Sequence, residues 1–377
     1  MMKKLGLYIH IPFCKRKCAY CDFVSYPDME HTFGRYAHAV GAEAALYGSW
    51  LNTREVDTVF IGGGTPPLLS SAQISTMIGA VKRHCNWNVR EFTIEANPET
   101  LDEEKIAAFA DTGINRISLG LQTHEDDILQ RICRRHTFQT FLDAYQTARE
   151  YIPNINVDLI FGLPGQSVQS FGETVRRVID LGPKHVSAYS LKLEEGTPLH
   201  AQFEGVSDGT DRDMYHTAVD LLMDAGYAHY ETSNFAQPGY ECAHNMKYWT
   251  QQEYLGLGVA SHSYIDGETK TRHSNTEYVE QYLRSVGKKT KPVAHSETLT
   301  AQDQQTEYIM LRLRLKGGLS FADYESRFDQ SFLNTFGSAA AEAKNAGLIS
   351  VSDAHIRPTL KGFDLQNALI SLFLNTK

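Results

Sequence analysis

No run of 18 or more apolar residues interrupts this 377-residue sequence, so no membrane-spanning helix and no stable membrane insertion are expected. Basic charge is not in excess either. Lys and Arg number 36 against 45 Asp and Glu, a net charge of -9, which argues against a surface that coats nucleic acid or an anionic membrane. With 12 Pro and 28 Gly, turn-formers are too few for a disordered or collagenous chain. Cysteine is sparse at six residues, too few for a disulfide framework, yet three of them fall between positions 14 and 21. The opening MMKKLGLYIHIPFC imitates a secretion signal, but its apolar stretch is short, broken by His10 and closed by Pro12. A soluble cytoplasmic protein is therefore expected, in which thiols stay reduced and clustered cysteines act as metal ligands.

Short apolar runs recur with longer amphipathic stretches between them. LGLYIHI (5–11), VDTVFIG (56–62), EFTIEA (91–96), INRISLG (114–120), INVDLIFG (155–162) and HVSAYSL (185–191) read as strands. The stretches between them read as helices, several closing on the glycine expected just past a helix C-terminus. Six βα units predict a parallel sheet in a full or partial TIM-like barrel, with chemistry at the C-terminal strand ends. Cys14, the glycines at 62–64, Glu95, Gln122 and Asp158 all fall at or just beyond such ends. Past residue 300 the pattern turns small, helical and winged-helix-like. That segment carries eight Lys/Arg and eight Asp/Glu, which leaves no electrostatic footprint for phosphates, so a structural or lid role is expected and no nucleic-acid partner.

The strongest chemical signal is CKRKCAYC, with Cys14, Cys18 and Cys21 spaced CxxxCxxC directly after the first strand. Three soft thiolates without a nearby fourth cysteine suit a 4Fe-4S cluster with one open iron. Zinc is the alternative. It would need a fourth ligand, for which His10 is the only close offer and is badly spaced. The other cysteines, Cys85, Cys133 and Cys242, are isolated and read as small core residues.

CxxxCxxC followed by Asp22-Phe23 and preceded by YIHIPF resembles the radical S-adenosylmethionine (SAM) superfamily. GGGTP (62–66), EANP (95–98), GLQ (120–122) and DLIFGLPGQ (158–166) extend the resemblance to the oxygen-independent coproporphyrinogen III oxidase family over nearly the whole chain. The resemblance implies a partial (β/α)6 barrel, a 4Fe-4S cluster whose open iron chelates SAM, and a SAM pocket lined by Tyr8, Tyr20, Gly63, Gly64, Thr65, Glu95, Gln122, Arg134 and Asp158. Arg135 is adjacent, so the choice of Arg134 depends on register. Physically, the glycines let backbone approach a ligand and offer it N–H groups, while Glu95 and Asp158 suit the amine and ribose hydroxyls of SAM.

Two departures point within that family. The oxidases carry a long segment before the cluster loop and a further cysteine two positions past the third ligand. Here the loop starts at residue 14 and that position is Phe23. The short form resembles the HemW branch, which implies a chaperone that binds heme and hands it to an acceptor protein. The segment HNMKYW matches that branch's HNxxYW motif, and the resemblance makes His244 the expected ligand of heme iron, outside the SAM pocket, with His262 of GLGVASHSY the second candidate. The other function class is a radical SAM enzyme acting on a tetrapyrrole. No residue is assigned a catalytic role, and homodimer formation is left open. The expected organisation is a radical SAM core over 1–235, a connecting region with the heme motif over 236–299, and a helical C-terminal domain over 300–377.

Overall fold

Six strands form where the apolar runs predict them: β1 (Lys3–Ile11), β2 (Arg54–Gly63), β3 (Asn86–Ala96), β4 (Arg116–Gln122), β5 (Ile155–Phe161) and β6 (His185–Ser190). The structure is a computed structural model and describes residues 2–374. Helices Phe33–Leu46, Ser71–Lys82, Glu103–Thr112, Phe138–Tyr151 and Val168–Leu181 cross over between these strands. Local sequence explains where they start and stop. Ser70 and Gln73 cap Ser71–Lys82 reciprocally, while Gly113 and Gly182 end their helices in the left-handed conformation, at φ 97° and 68°.

Five further strands join the same sheet at one edge or the other, and a sixth completes it: β7 (Ala228–His229), β8 (Asn234–Ala236), β9 (Tyr254–Leu257), β10 (His262–Asp266), β11 (Lys270–Asn275) and β12 (Val293–Thr298). β1 to β6 lie side by side in chain order and parallel, as βα crossovers require. β9 pairs parallel to the outer edge of β1, and β10 to β12 continue antiparallel from it. β8 and β7 extend the opposite edge beyond β6. The sheet stays open, an α/β partial barrel rather than a closed one. Residues 254–298, expected to lie in a connecting region, thus supply four strands of the main sheet. No propensity rule reveals that, because β9 earns its place by pairing with β1, some 250 positions away in the chain.

One continuous core runs from Leu5 to Val286. A second, from Tyr308 to Phe373, fills a helical unit that carries a small antiparallel sheet of β13 (Leu319–Ser320), β14 (Ile349–Val351) and β15 (His355–Pro358). The end of the expected 300–377 domain lies outside the described residues. Phe363 buries itself in the main core, and His216 meets Asp364 at 2.9 Å, so the helical unit is seated on the barrel. Among the described residues, no helix is long and apolar enough to cross a membrane.

Candidate functional site

Pro12 and Phe13 follow the end of β1, and the chain then makes the loop that carries the three cysteines. Its base is closed by two backbone bonds, Cys14 N–H to the Tyr26 carbonyl (3.1 Å) and Tyr26 N–H to Pro12 (2.8 Å). Its middle is pinned through Ala19, which donates to Ile132 at 3.1 Å and accepts from Leu199 at 2.8 Å. Cys14, Cys18 and Cys21 are all partly exposed on this fixed loop. Burial, and the neighbouring Cys18 and Cys14, push the Cys21 thiol up to about 11. Among the described residues, no three His, Cys, Asp or Glu side chains converge tightly enough for a single metal ion. A 4Fe-4S cube asks for a different arrangement, each thiolate on its own iron, and a three-thiol loop of this kind suits it. His10 offers no fourth ligand: its ring nitrogens are engaged by the Tyr8 hydroxyl (3.0 Å) and the Val24 carbonyl (2.9 Å).

The glycines at the end of β2 work differently from the expectation. Gly64 N–H donates to Ile11 (2.9 Å), Thr65 N–H to Phe13 (2.7 Å), and Gly63 N–H to the Glu95 carboxylate (3.0 Å). None of these donors faces outward to a ligand. A Cβ on Gly64 would sit 2.4 Å from the Phe13 carbonyl and 3.0 Å from Cys14 Sγ, so the glycine exists to let this turn press against the cysteine loop. Thr65 adds its hydroxyl 3.6 Å from Cys14 Sγ.

Arg134, not the exposed Arg135, turns inward. It donates to Asn97 (2.8 Å) and the Gly120 carbonyl (2.9 Å) and lies 3.6 Å from Cys18 Sγ. Gln122 is buried at the end of β4 in the left-handed region at φ 72°, a strained position for a residue with a side chain. Tyr20 is packed against Leu129 and its neighbours, beside the cysteines. Cys133, isolated in the sequence, shares a small cavity with Cys18, Thr65 and Arg134.

Inside the strand ends lies a polar cavity of about 240 Å³, walled by Tyr8, Glu95, Ser118, Asn156, Asp158, Asn245 and Tyr248 among others. Burial first, then the Asp158 charge, raises the Glu95 carboxyl to about 8. Asp158 is raised too by burial, although Ser118 (2.9 Å) and Asn156 (2.8 Å) donate to it. Both acids are raised chiefly by burial, and a cationic group on a ligand bound beside them would favour their charged forms. Sequence reading missed Arg116, which reaches this cavity from β4 while 2% exposed. The signal was present in INRISLG, where a cation stands inside an apolar strand run.

The HNxxYW segment forms the short helix Ala243–Trp249 against this same cavity, with Asn245 and Tyr248 on its wall. His244, the expected iron ligand, is fully buried behind them. Its Nδ1 shares a hydrogen bond with the Thr58 hydroxyl and its Nε2 with the Tyr248 hydroxyl, both at 2.9 Å, so neither nitrogen is free. Trp249 lies under the Arg314 guanidinium, 5.8 Å from the ring centre.

The family model described as Radical SAM superfamily matches residues 8–178, and that described as HemN C-terminal domain matches residues 299–365. Heme chaperone HemW of Lactococcus lactis is 35% identical over 99% of this chain and 98% of its own. Heme chaperone HemW of Bacillus subtilis is 32% identical over 97% and 98%. Among solved structures, the coproporphyrinogen III oxidase HemN of Escherichia coli, a radical SAM enzyme, superposes with a TM-score of 0.87 at 25% identity, covering 99% of this chain and 91% of that one. A cysteine loop braced by a glycine turn, paired acids at the strand ends and a helical unit seated on an open barrel agree with that likeness throughout, and the chain belongs to the radical SAM superfamily, in the HemW branch of the HemN-like family.

Proposed function

We propose that this protein is a heme chaperone, which binds heme and passes it to an acceptor protein. The observation that carries the reading is likeness along the entire chain to proteins named heme chaperone HemW. In this reading Cys14, Cys18 and Cys21 hold a 4Fe-4S cluster, and Tyr8, Tyr20, Thr65, Glu95, Gln122, Arg134 and Asp158 surround SAM. Gly63 and Gly64 serve the same site by bringing the glycine turn against the cysteine loop. When bound, the cluster would offer SAM an iron site and, once reduced by an external donor, could pass it an electron. The chain's own part is positional. Glu95 and Asp158 take the ligand's positive and hydroxyl groups, Arg134 offsets thiolate charge beside Cys18, and the barrel wall keeps water from the reacting end. The proposed organisation keeps a radical SAM core over 1–235 and a helical C-terminal domain over 300–377, and amends the connecting region, because the 254–298 strands belong to the core sheet. Cytoplasmic residence is part of the same reading.

The likeness to an oxidase structure supports a second reading, a radical SAM enzyme acting on a tetrapyrrole. Anaerobic reconstitution of the full chain, followed by parallel assays of hemin binding, hemin transfer to a heme-free globin and coproporphyrinogen decarboxylation, separates the two. Binding and transfer without decarboxylation are expected. Decarboxylation at a useful rate without transfer would replace the first reading by the second.

A further inference from the structure

Parallel barrels ordinarily fill their centres with layers of Val, Ile and Leu. Here the inward positions of β3 to β6 carry polar side chains instead, among them Thr93, Arg116, Ser118, Asn156 and Ser187, all buried, and the polar cavity of about 240 Å³ lies among them. Arg116 is the deepest cation of this set. Its register partner is Thr93, whereas Ser118 stands opposite Glu95, so Arg116 lies two residues closer to the start of the barrel strands than the level of the acids.

Nothing in the chain bonds the Arg116 guanidinium. Its Nε is buried without a hydrogen-bond partner, and among the described residues no acceptor bonds its Nη atoms and no carboxylate forms an ion pair with it. The acceptors nearby are engaged with one another. Asn156 Nδ2 donates to Ser118 Oγ (2.7 Å) and to Asp158 (2.8 Å), Ser118 donates to Asp158 (2.9 Å), and Asn156 Oδ1 accepts from Ser187 (3.1 Å). Glu91 contributes its charge to Arg116, but its two oxygens hold the Ala243 and His244 N–H groups. The Thr93 hydroxyl beside Arg116 is likewise buried and unpartnered. Asn245, on the short helix Ala243–Trp249, also lines the cavity, and its side-chain amide is unbonded among the described residues. A guanidinium carries five N–H donors, and burying it with none of them bonded is among the costliest arrangements a fold can hold. Retained at the wall of a cavity, it marks an anion site.

The surrounding charges limit what the anion can be. Burial and the Asp158 charge hold the Glu95 carboxyl up to about 8, so it is protonated at neutral pH and does not repel a negative group. Glu91 and Asp158 act on Arg116 as negative neighbours, and one guanidinium among them cannot offset the second charge of a sulfate or phosphate. A guanidinium fork does match the two oxygens of a carboxylate. We infer that the depth of the barrel holds a carboxylate subsite, in which Arg116 takes the carboxylate of a small organic monoacid through two parallel N–H bonds and Asn245 donates from the short helix. The apolar part of the acid lies against the rings of Tyr8, Phe60 and Tyr248. This goes beyond the proposed SAM and heme roles, because its anchor stands a layer below the acids assigned to SAM.

The test is isothermal calorimetry of the anaerobically reconstituted full chain at neutral pH in saturating SAM, titrated with butyrate, with its uncharged isostere butyramide, and with sulfate. Butyrate should bind at least about tenfold more tightly than either, as paired charge-assisted bonds require. Arg116→Met should remove that preference. Asn245→Asp, which sets a like charge on the cavity wall while leaving Arg116 in place, should weaken butyrate at least about tenfold and keeps the subsite testable if Arg116→Met fails to fold. Absence of saturable butyrate binding, equal binding of butyrate and butyramide, sulfate bound as tightly, or unchanged butyrate affinity in the folded variants would overturn the subsite. So would displacement of butyrate by SAM, which would put the anion in the SAM seat instead. If the wild type takes up no SAM in the same calorimeter, the SAM reading fails alone, and the butyrate titrations without SAM still decide this one.

Discussion

The Glu91 carboxylate, at the middle of β3, accepts the backbone N–H of His244 at 2.8 Å, and its other oxygen accepts that of Ala243 at 2.8 Å. A helix of seven residues cannot satisfy its own first N–H groups, and Glu91 does so from the barrel strand, where its charge also matches the positive end of the helix. The HNxxYW segment is thereby fastened to the cavity wall. Lys247, paired with Asp57 at 2.7 Å, fastens its far end.

Glu91→Ala should therefore loosen this helix selectively. Loss of two charge-assisted bonds, with Arg116 left short of negative charge, should lower unfolding free energy by about 3 kcal/mol or more. Hydrogen exchange at Ala243 to Lys247 should accelerate most, while Glu91→Gln, which keeps an acceptor, should cost less. Equal exchange across all strands in both variants would refute the capping role.

His244 should prove structural. Replacing it by Ala orphans the Thr58 and Tyr248 hydroxyls, each about 1 to 3 kcal/mol if left unpaired. Denaturant unfolding should register that loss, and Thr58→Val should reproduce part of it. The two variants should be less than additive in combination, because they share one hydrogen bond.

Replacing any one of Cys14, Cys18 and Cys21 by Ala should abolish the 4Fe-4S cluster. Iron and sulfide analysis after anaerobic reconstitution checks this. Four irons per chain in a Cys14→Ala variant, or zinc in the wild type, would contradict it.

Gly64→Ala should also impair cluster assembly, although no thiol is touched. Its Cβ would meet the Phe13 carbonyl at 2.4 Å, and the cysteine loop would have to move. If the glycine served only as a backbone donor, alanine would keep that N–H and cluster yield would not change.

SAM binding should depend on pH through Glu95. Its carboxyl, ordinarily at 4.5, is raised to about 8 by burial and by Asp158, so the folded apo-protein holds a proton there that the unfolded chain has lost. Stability contributed by this group therefore falls as pH rises from about 4.5 to about 8. A cationic ligand such as SAM, with its sulfonium, favours the carboxylate, so SAM binding should release the proton. Affinity should rise by up to about tenfold per pH unit as pH approaches about 8 and level off above it. Calorimetry in buffers of different ionisation enthalpy reads the proton release directly, and Glu95→Gln should flatten the profile.

Local pattern determined much of this protein by itself. The six parallel strands follow from apolar runs of strand length, the helix ends from Ser70, Gly113 and Gly182, and the cluster loop from three cysteines at a spacing that few other uses explain. Such features are encoded within a dozen residues, so a linear reading reaches them. Tertiary structure alone decided the rest. β9 joins the sheet by pairing with β1, Arg116 enters the barrel because β4 lies at its centre, and the glycine N–H groups turn to Ile11, Phe13 and Glu95 rather than to a ligand. The two histidines show the difference most plainly. In the sequence His244 sits in the recognisable motif and His262 follows the glycine-containing stretch GLGVAS as the second candidate. Only the folded chain buries the first between two hydroxyls and leaves the second unpaired at the mouth of an apolar hollow, because burial and hydrogen-bond partnership are set by segments distant in the chain.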